Sequence, residues 1–440
     1  MDKASGARRD GGQGGPKWGS RFGFLMAAIG SAVGLGNLWR FPFQAGQNGG
    51  GAFVLTYILC VALIAYPVLI GELAIGRHKG LSAVGSTKNL SLDSGHSSKW
   101  QIAGWIGFAA AIVILPSYAM ISGQIMAYAV MALLGDLHAN KGATPLYNGA
   151  WHSFGWFTAF LVINVGIVMR GVNRGIEAAT VFLMPIFFVL LVGLAIFALS
   201  SGASAEAISY LFSPRFYELT PQVALAALGQ AFFSVGVGAA IMITYGSFLS
   251  KDVNIATNAA LIAGADTLVA LVAGLLIFPI VFAHGMDPAA GTGLIFGALP
   301  AFFETMPFGN LIGGAFFFLA FIAALTSSIS ILMMTRVIGI EQFGLTSRNA
   351  TVAFGFLAWL GGIGIVTIDG LGEKLDWLVG SVLMPLGALT GALLAGWIAP
   401  HSTMRDELRQ SSNRLFAYWR AMMRFVVPVA ILAIFITGLQ

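Results

Sequence analysis

Charge is what this sequence has least of. Only 9% of its 440 residues are Asp, Glu, Lys or Arg, against about 25% in a typical soluble domain. Water could not solvate a surface so poor in charge, which excludes a soluble globular protein. The single cysteine, Cys60, excludes an internal disulfide and a thiolate zinc cluster. It lies inside an apolar run and reads as packing. The six histidines (His78, His96, His138, His152, His284 and His401) are scattered, with no two at metal-ligand spacing. The apolar runs do not alternate with polar residues, which excludes a membrane β-barrel. The first 20 residues are polar, and no short apolar core with a small-residue cleavage site follows them. They read as a cytoplasmic tail, not a signal peptide. The pI of about 9.4 does not point to nucleic acid. The basic residues stand singly between apolar runs and form no patch with interleaved aromatics.

Apolar residues are plentiful: 57% of the chain, with mean hydropathy +0.84. Runs long enough to cross a bilayer core of about 30 Å fall at 21–46, 50–77, 98–134, 153–170, 176–199, 221–249, 255–283, 309–343, 348–368, 374–399 and 417–438. The expected fold class is an all-α polytopic membrane protein of about eleven helices. Its parts are a tail (1–20), helices 1–5 (21–199), helices 6–10 (221–399) and an eleventh helix (417–438). With the N-terminus inside, nineteen of the 23 Lys and Arg residues fall inside; only Arg40, Lys141, Arg215 and Lys374 fall outside. That asymmetry supports the orientation, an odd helix count and an outside C-terminus. The half-apolar segment 284–308 either folds back as a helical lid toward a pore or packs as a surface loop.

One run carries residues that weaken a helix. GSAVGLGNLWRFPF (30–43) places three glycines, an asparagine, an arginine and a proline in an expected span. Its centre, Ala32-Val33-Gly34-Leu35-Gly36, returns as Ser234-Val235-Gly236-Val237-Gly238. Five helices separate the copies, so the second enters the membrane inverted. Glycine-interrupted helices at matched positions of two inverted halves point to a transporter site at the midplane. Broken backbone at that depth is tolerated only where it lines a cavity or binds something. Freed carbonyls can ligate a cation, and amides at a half-helix N-terminus attract a carboxylate. The competing reading is small-residue helix packing, since Gly30 and Gly34 form GxxxG. The inverted duplicate, with Asn37 and Arg40, favours the site. A glycine-rich nucleotide loop is excluded, because no strand precedes it.

GSAVGLGNLWRFPFQAGQNGGGAF (30–53) resembles the first-helix signature of the neurotransmitter:sodium symporter family, which has the LeuT fold. The resemblance continues through GELAIGR (71–77), RGVNRGIE (170–177), GQAFFSVGVG (229–238), ALTSSIS (324–330) and LDWLVG (375–380). It implies a 5+5 inverted repeat with helices 1 and 6 interrupted, and two sodium ions. The first sodium would take the Ala32 carbonyl, Asn37, Ser234 and Asp266, completed by a substrate carboxylate. The second would take the carbonyls of Gly30, Val33 and Ala323 and the hydroxyls of Thr326 and Ser327. The alternative for those hydroxyls is back-bonding within their own helix. The implied substrate pocket is lined by Ser31, Ala32, Leu35, Gly36, Ile114, Tyr118, Phe233, Ser234, Gly236, Ala239, Ser327 and Ile331. In it the Tyr118 hydroxyl meets the substrate carboxylate, unless it is simply a packed tyrosine.

Arg40 and Asp376 match the family's outer gate, and Glu341 matches the inner-gate acid. The inner arginine is missing: Gly15 stands in its register, with Lys17 or Arg9 as substitutes, and Phe248 replaces a tyrosine common nearby. Glu72 is expected to brace the interrupted helices. Gly175 and Pro185 flank either a hinge or an ordinary packing contact. Tyr57, Gln230 and Ser234 match the chloride-binding positions of animal relatives, but Ala270 replaces the usual hydroxyl. Asp266, one turn earlier, would supply the negative charge unless it is a protonated structural aspartate. Position 34 is Gly where amine-transporting relatives carry Asp. The expected function is sodium-coupled import of hydrophobic, large or aromatic L-amino acids by alternating access across a bacterial inner membrane. Na+ would be the only cofactor, the amino acid and the bilayer the only partners, and a monomer sufficient. No constellation for enzymatic bond chemistry is present. The alternatives are transport of an amine or osmolyte, or a non-transporting amino-acid sensor or channel.

Overall fold

The structure, a computed structural model, describes residues 17–135, 150–200, 202–287, 296 and 299–438. Among the described residues the chain is helical, without a strand. The first apolar run forms α1 (Arg21–Ala32) and α2 (Gly36–Gln47), bent by 48°. Next come α3 (Gly51–Lys79), the short α4 (Ala83–Asp93), α5 (Ser98–Leu134), α6 (Trp151–Met169), α7 (Val172–Leu199) and the short α8 (Ser204–Phe212). The second half holds α9 (Pro221–Val235), α10 (Ile241–Ser247), α11 (Ile255–Ala283), the short α12 (Leu299–Thr305), α13 (Gly309–Phe343), α14 (Ser347–Thr367), α15 (Leu371–Ile398), the short α16 (His401–Glu407) and α17 (Asn413–Ile436).

Nine of the described helices are long and apolar enough to cross a membrane, and the α1–α2 pair makes a tenth. The sequence boundaries of α5, α11 and α13 agree to the residue. The first and sixth runs are broken as expected, and the breaks fall on the repeated glycines. The four short helices lie outside every run long enough to span. The long α13 is the most enclosed element, packed chiefly against α5.

Backbone chemistry explains both breaks. Val33 is extended (φ −67°, ψ 111°). The Gly34 N–H, which would have donated inside a helix, donates to Asn37 Oδ1 at 2.9 Å. The chain then resumes in a wide turn, with the Phe41 N–H reaching back five residues to Gly36 O, a bulge common at functional sites. At the second break Gly236 (φ +70°) and Gly238 (φ +91°) are left-handed, which glycine adopts without steric cost. A Cβ on Gly238 would lie 2.2 Å from Met384 O, so only glycine permits that approach. The Gly238 N–H donates to Glu72 Oε1 at 2.7 Å. Glu72 therefore braces the second break, while its other oxygen is buried without a partner.

Gly175 packs closely: a Cβ there would lie 2.2 Å from Ile167 O, and Pro185 sits inside α7. In the segment 284–308, α12 packs Phe302 on His284 (ring centroids 4.1 Å apart) and Phe303 on Phe316 (5.9 Å). Its described residues do not line the central cavity or the vestibule described below.

Candidate site at the two broken helices

The two breaks face each other across a central cavity of about 90 Å³. All twelve residues expected of a substrate pocket lie around this cavity, from Ser31, Ala32, Leu35 and Gly36 on the first break to Phe233, Ser234, Gly236 and Ala239 on the second, with Ile114 and Tyr118 from α5 and Ser327 and Ile331 from α13. The Tyr118 hydroxyl is buried and lies beside Ser327 and the Leu35 backbone. It makes no well-formed hydrogen bond to either. A buried hydroxyl without a partner is costly. A Cβ on Gly34 would lie 2.8 Å from Ser327 Oγ and 3.1 Å from Tyr118 Oη, so a side chain there would crowd both. A Cβ on Gly236 would meet nothing within 4 Å, so the space beside it is open.

On one flank three of the four expected first-sodium residues meet, while the fourth, Ala32, lines the cavity nearby. Asn37 Nδ2 donates to Ser234 Oγ (2.9 Å), to Asp266 O (3.0 Å) and to Asp266 Oδ1 (2.7 Å). Ser234 Oγ donates to Asp266 Oδ2 at 2.7 Å, and the Tyr57 hydroxyl adds contacts to Ser234 (3.2 Å) and Asp266 (3.5 Å). Three side chains thus surround the buried Asp266 carboxyl: Asn37, Ser234 and Tyr57. Ala270 is buried one turn away. Gln230 is drawn elsewhere: its Nε2 donates to Gly36 O and its Oε1 accepts from Arg40, both at 2.9 Å.

On the other flank Ser327 Oγ lies 3.4 Å from Gly30 O and 3.3 Å from Val33 O, and a Cβ on Gly30 would touch Thr326 at 3.1 Å. The Thr326 hydroxyl donates back to Ile322 O (3.0 Å) and Ala323 O (3.1 Å), as in the back-bonding alternative. The expected second-sodium residues are therefore contiguous, with neutral oxygens only. Hard cations take such ligands.

Above Tyr118 and Phe233 the central cavity meets a vestibule of about 440 Å³, lined by Arg40 and Asp376. The two form no ion pair. Arg40 instead stacks on the Phe233 ring, 4.6 Å from its centroid, and bonds Gln230. The opposite end is closed. Trp18 packs on Tyr245 (5.1 Å), Phe24 (5.8 Å) and Phe248 (6.1 Å), and its Nε1 donates to Tyr245 O at 3.2 Å. Phe248 thus serves the closed end by stacking, without a hydroxyl.

Glu177 fastens the start of α1, accepting from the Gly19 N–H (2.7 Å) and Ser20 Oγ (3.0 Å). Among the described residues Glu341 meets no cation. It accepts from the Ser82 N–H (2.6 Å) and Ser82 Oγ (2.8 Å). Lys17 enters no ion pair among the described residues, and Arg9 and Gly15 lie outside them. The sequence reading missed the Glu177 clamp and the Trp18 plug. The only signal in the sequence is the RGVNRGIE stretch (170–177), whose last residue is Glu177.

Comparison with known proteins places this geometry. The family model for the sodium:neurotransmitter symporter family matches residues 15–148 and 150–440. The chain belongs to that family. An uncharacterized sodium-dependent transporter of Bacillus subtilis, YhdH, is 38% identical, covering 96% of this chain and 97% of the relative. The sodium-dependent nutrient amino acid transporter 1 of Drosophila grimshawi is 26% identical over 95% of this chain and 76% of its own length. Among solved structures, MhsT in complex with L-phenylalanine superposes with a TM-score of 0.88 at 37% identity, covering 97% of this chain and all of that one. This symporter is therefore a sodium-dependent, multi-pass membrane transporter with the LeuT fold. Its relatives are transporters, not enzymes.

Proposed function

We propose that this symporter imports hydrophobic, large or aromatic L-amino acids, coupled to two sodium ions, across the inner membrane of a bacterium. The observation that carries the reading is the buried Tyr118 hydroxyl, without a partner, facing the unwound backbone at Gly34–Leu35. A substrate carboxylate satisfies it, reaching the Ala32–Asn37–Ser234–Asp266 cluster at the same time. Gly34 leaves no room for a protein carboxylate there, so the substrate brings its own. Apolar walls (Ile114, Phe233, Ile331) and the open space beside Gly236 favour a large apolar side chain. That MhsT was solved with L-phenylalanine supports the same class.

Asp266 takes the place of chloride as the negative charge at the first sodium. The 23 cationic residues are distributed so that the Trp18 end is cytoplasmic and the Arg40–Asp376 vestibule faces outward; access is then outward-facing. We count α9 and α10 as one interrupted span, giving eleven, with 21–199 and 221–399 as inverted repeats. A monomer holds the whole site.

Equilibrium binding to purified protein tests the reading. Labelled L-phenylalanine should bind tightly in sodium and far more weakly in potassium, and unlabelled phenethylamine should not displace the tightly bound label. Equal displacement by amino acid and amine would refute the role given to the carboxylate.

A further inference from the structure

Beyond the Trp18 plug lies a second cavity, of about 240 Å³. One side is built from the far part of α13. Arg336 lies nine residues past Ser327, about 13 Å along the helix axis. Arg336 is only 9% exposed, inside an apolar helix. Its Nε and Nη2 share the Ser347 hydroxyl, and Nη1 rests 3.3 Å from the Met333 sulfur. No described carboxylate pairs with it. A buried guanidinium with fewer acceptors than donors is expensive in a membrane protein, and a functional role is the default reading.

The mouth of the same cavity carries Glu341, exposed and held by Ser82. The walls include Val172, Phe248 and Met333. A cation inside, an anion at the rim and apolar walls suit one class of ligand. An inorganic anion or a lipid phosphate would meet Arg336 but be repelled by Glu341. A zwitterion with an apolar side chain satisfies all three.

We propose that this cavity is an inner binding subsite for the departing amino acid. Arg336 takes the carboxylate as a bidentate pair, Glu341 receives the ammonium, and Val172, Phe248 and Met333 cover the side chain. The proposal rests on the amino-acid reading above. Phe248 both stacks on Trp18 and lines this cavity, so a substrate released past the plug enters it directly.

The test uses full-length protein in proteoliposomes with L-phenylalanine. Arg336→Gln should raise KM for efflux from the Trp18 side by about tenfold, the scale of one lost charge-assisted hydrogen bond. KM for uptake through the Arg40 vestibule should change by less than about twofold, and Arg336→Lys should restore part of the loss. An unchanged efflux KM, or an equal rise from both sides, would overturn the proposal. Should Arg336→Gln lose sodium-dependent binding altogether, Val337→Trp decides. It fills the cavity while keeping the guanidinium, and must produce the same one-sided rise; no rise overturns the proposal. Failure of the wild type to transport any amino acid would instead overturn the proposed function. The cavity is then judged by L-phenylalanine binding in sodium-free buffer: binding lost in Arg336→Gln supports the subsite, and equal or absent binding contradicts it.

Discussion

Tyr118→Phe separates a binding hydroxyl from a packing ring. The ring, carried by α5, is half-buried opposite the first break and lines both the cavity and the vestibule, and the hydroxyl is buried without a hydrogen bond of good geometry. Removing one oxygen therefore takes nothing from the fold. It relieves an unsatisfied group worth about 1–3 kcal/mol, so thermal stability without substrate should hold or rise. With substrate the balance reverses. A hydrogen bond to a charged group contributes about 1.5–3 kcal/mol, which at about 1.4 kcal/mol per decade predicts L-phenylalanine Kd weakened roughly 10- to 150-fold. The carboxylate also completes the first sodium site, so sodium affinity should fall only in the presence of substrate. The assays are thermal unfolding without substrate and equilibrium binding across a sodium series. A lower unfolding midpoint with an unchanged Kd would refute the reasoning and make Tyr118 a packing residue.

Other substitutions probe the remaining parts of the site. Asp266→Asn should lower sodium affinity by about tenfold or more, about 1.4 kcal/mol per decade, and wild-type uptake in gluconate should equal that in chloride; a strict chloride requirement would rule this out. Ala239→Phe fills the wall of the central cavity and should shift competition from tryptophan toward small aliphatic amino acids, whereas unchanged tryptophan binding would misplace the pocket. Outside the spans, burial alone would raise the Glu407 carboxyl, but hydrogen bonds from His78, Lys251 and Arg77 overcome it and hold the group at about 2. A depressed acid contributes stability that is present above its ordinary value near about 4.3 and is lost as pH falls through about 2. Glu407→Gln should flatten acid unfolding in that window and, by leaving the buried Arg77 unpaired, cost about 3–5 kcal/mol; unaltered acid unfolding would contradict this.

Sequence carried the site further than it carried the surroundings. The Val-Gly-x-Gly repeat marked both breaks because a helix in lipid tolerates such glycines only at a purpose. Asn37, Ser234, Asp266 and Ser327 were legible because polar groups in apolar runs need partners. The Glu177 clamp was not, since its partners are the Gly19 amide and the Ser20 hydroxyl, 158 and 157 residues away. No periodicity encodes that register. Glu341 was legible as a gate acid but its contact with Ser82 was not, since 259 residues separate the two. The helices α4, α8 and α16 escaped because 7–11 residues of mixed polarity give no spanning run. Arg40 was read against Asp376, but the Phe233 face and Gln230 lie closer.

Reconstituted uptake under an imposed gradient tests the central claim most directly. Proteoliposomes carrying inward sodium should accumulate labelled L-phenylalanine above the external concentration, and an inside-negative potential should increase it, since each sodium charge gains about 2.3 kcal/mol per 100 mV. Replacing sodium by potassium should abolish accumulation. Equal accumulation in potassium, or sodium-dependent binding without any uptake, would contradict sodium-coupled amino-acid transport.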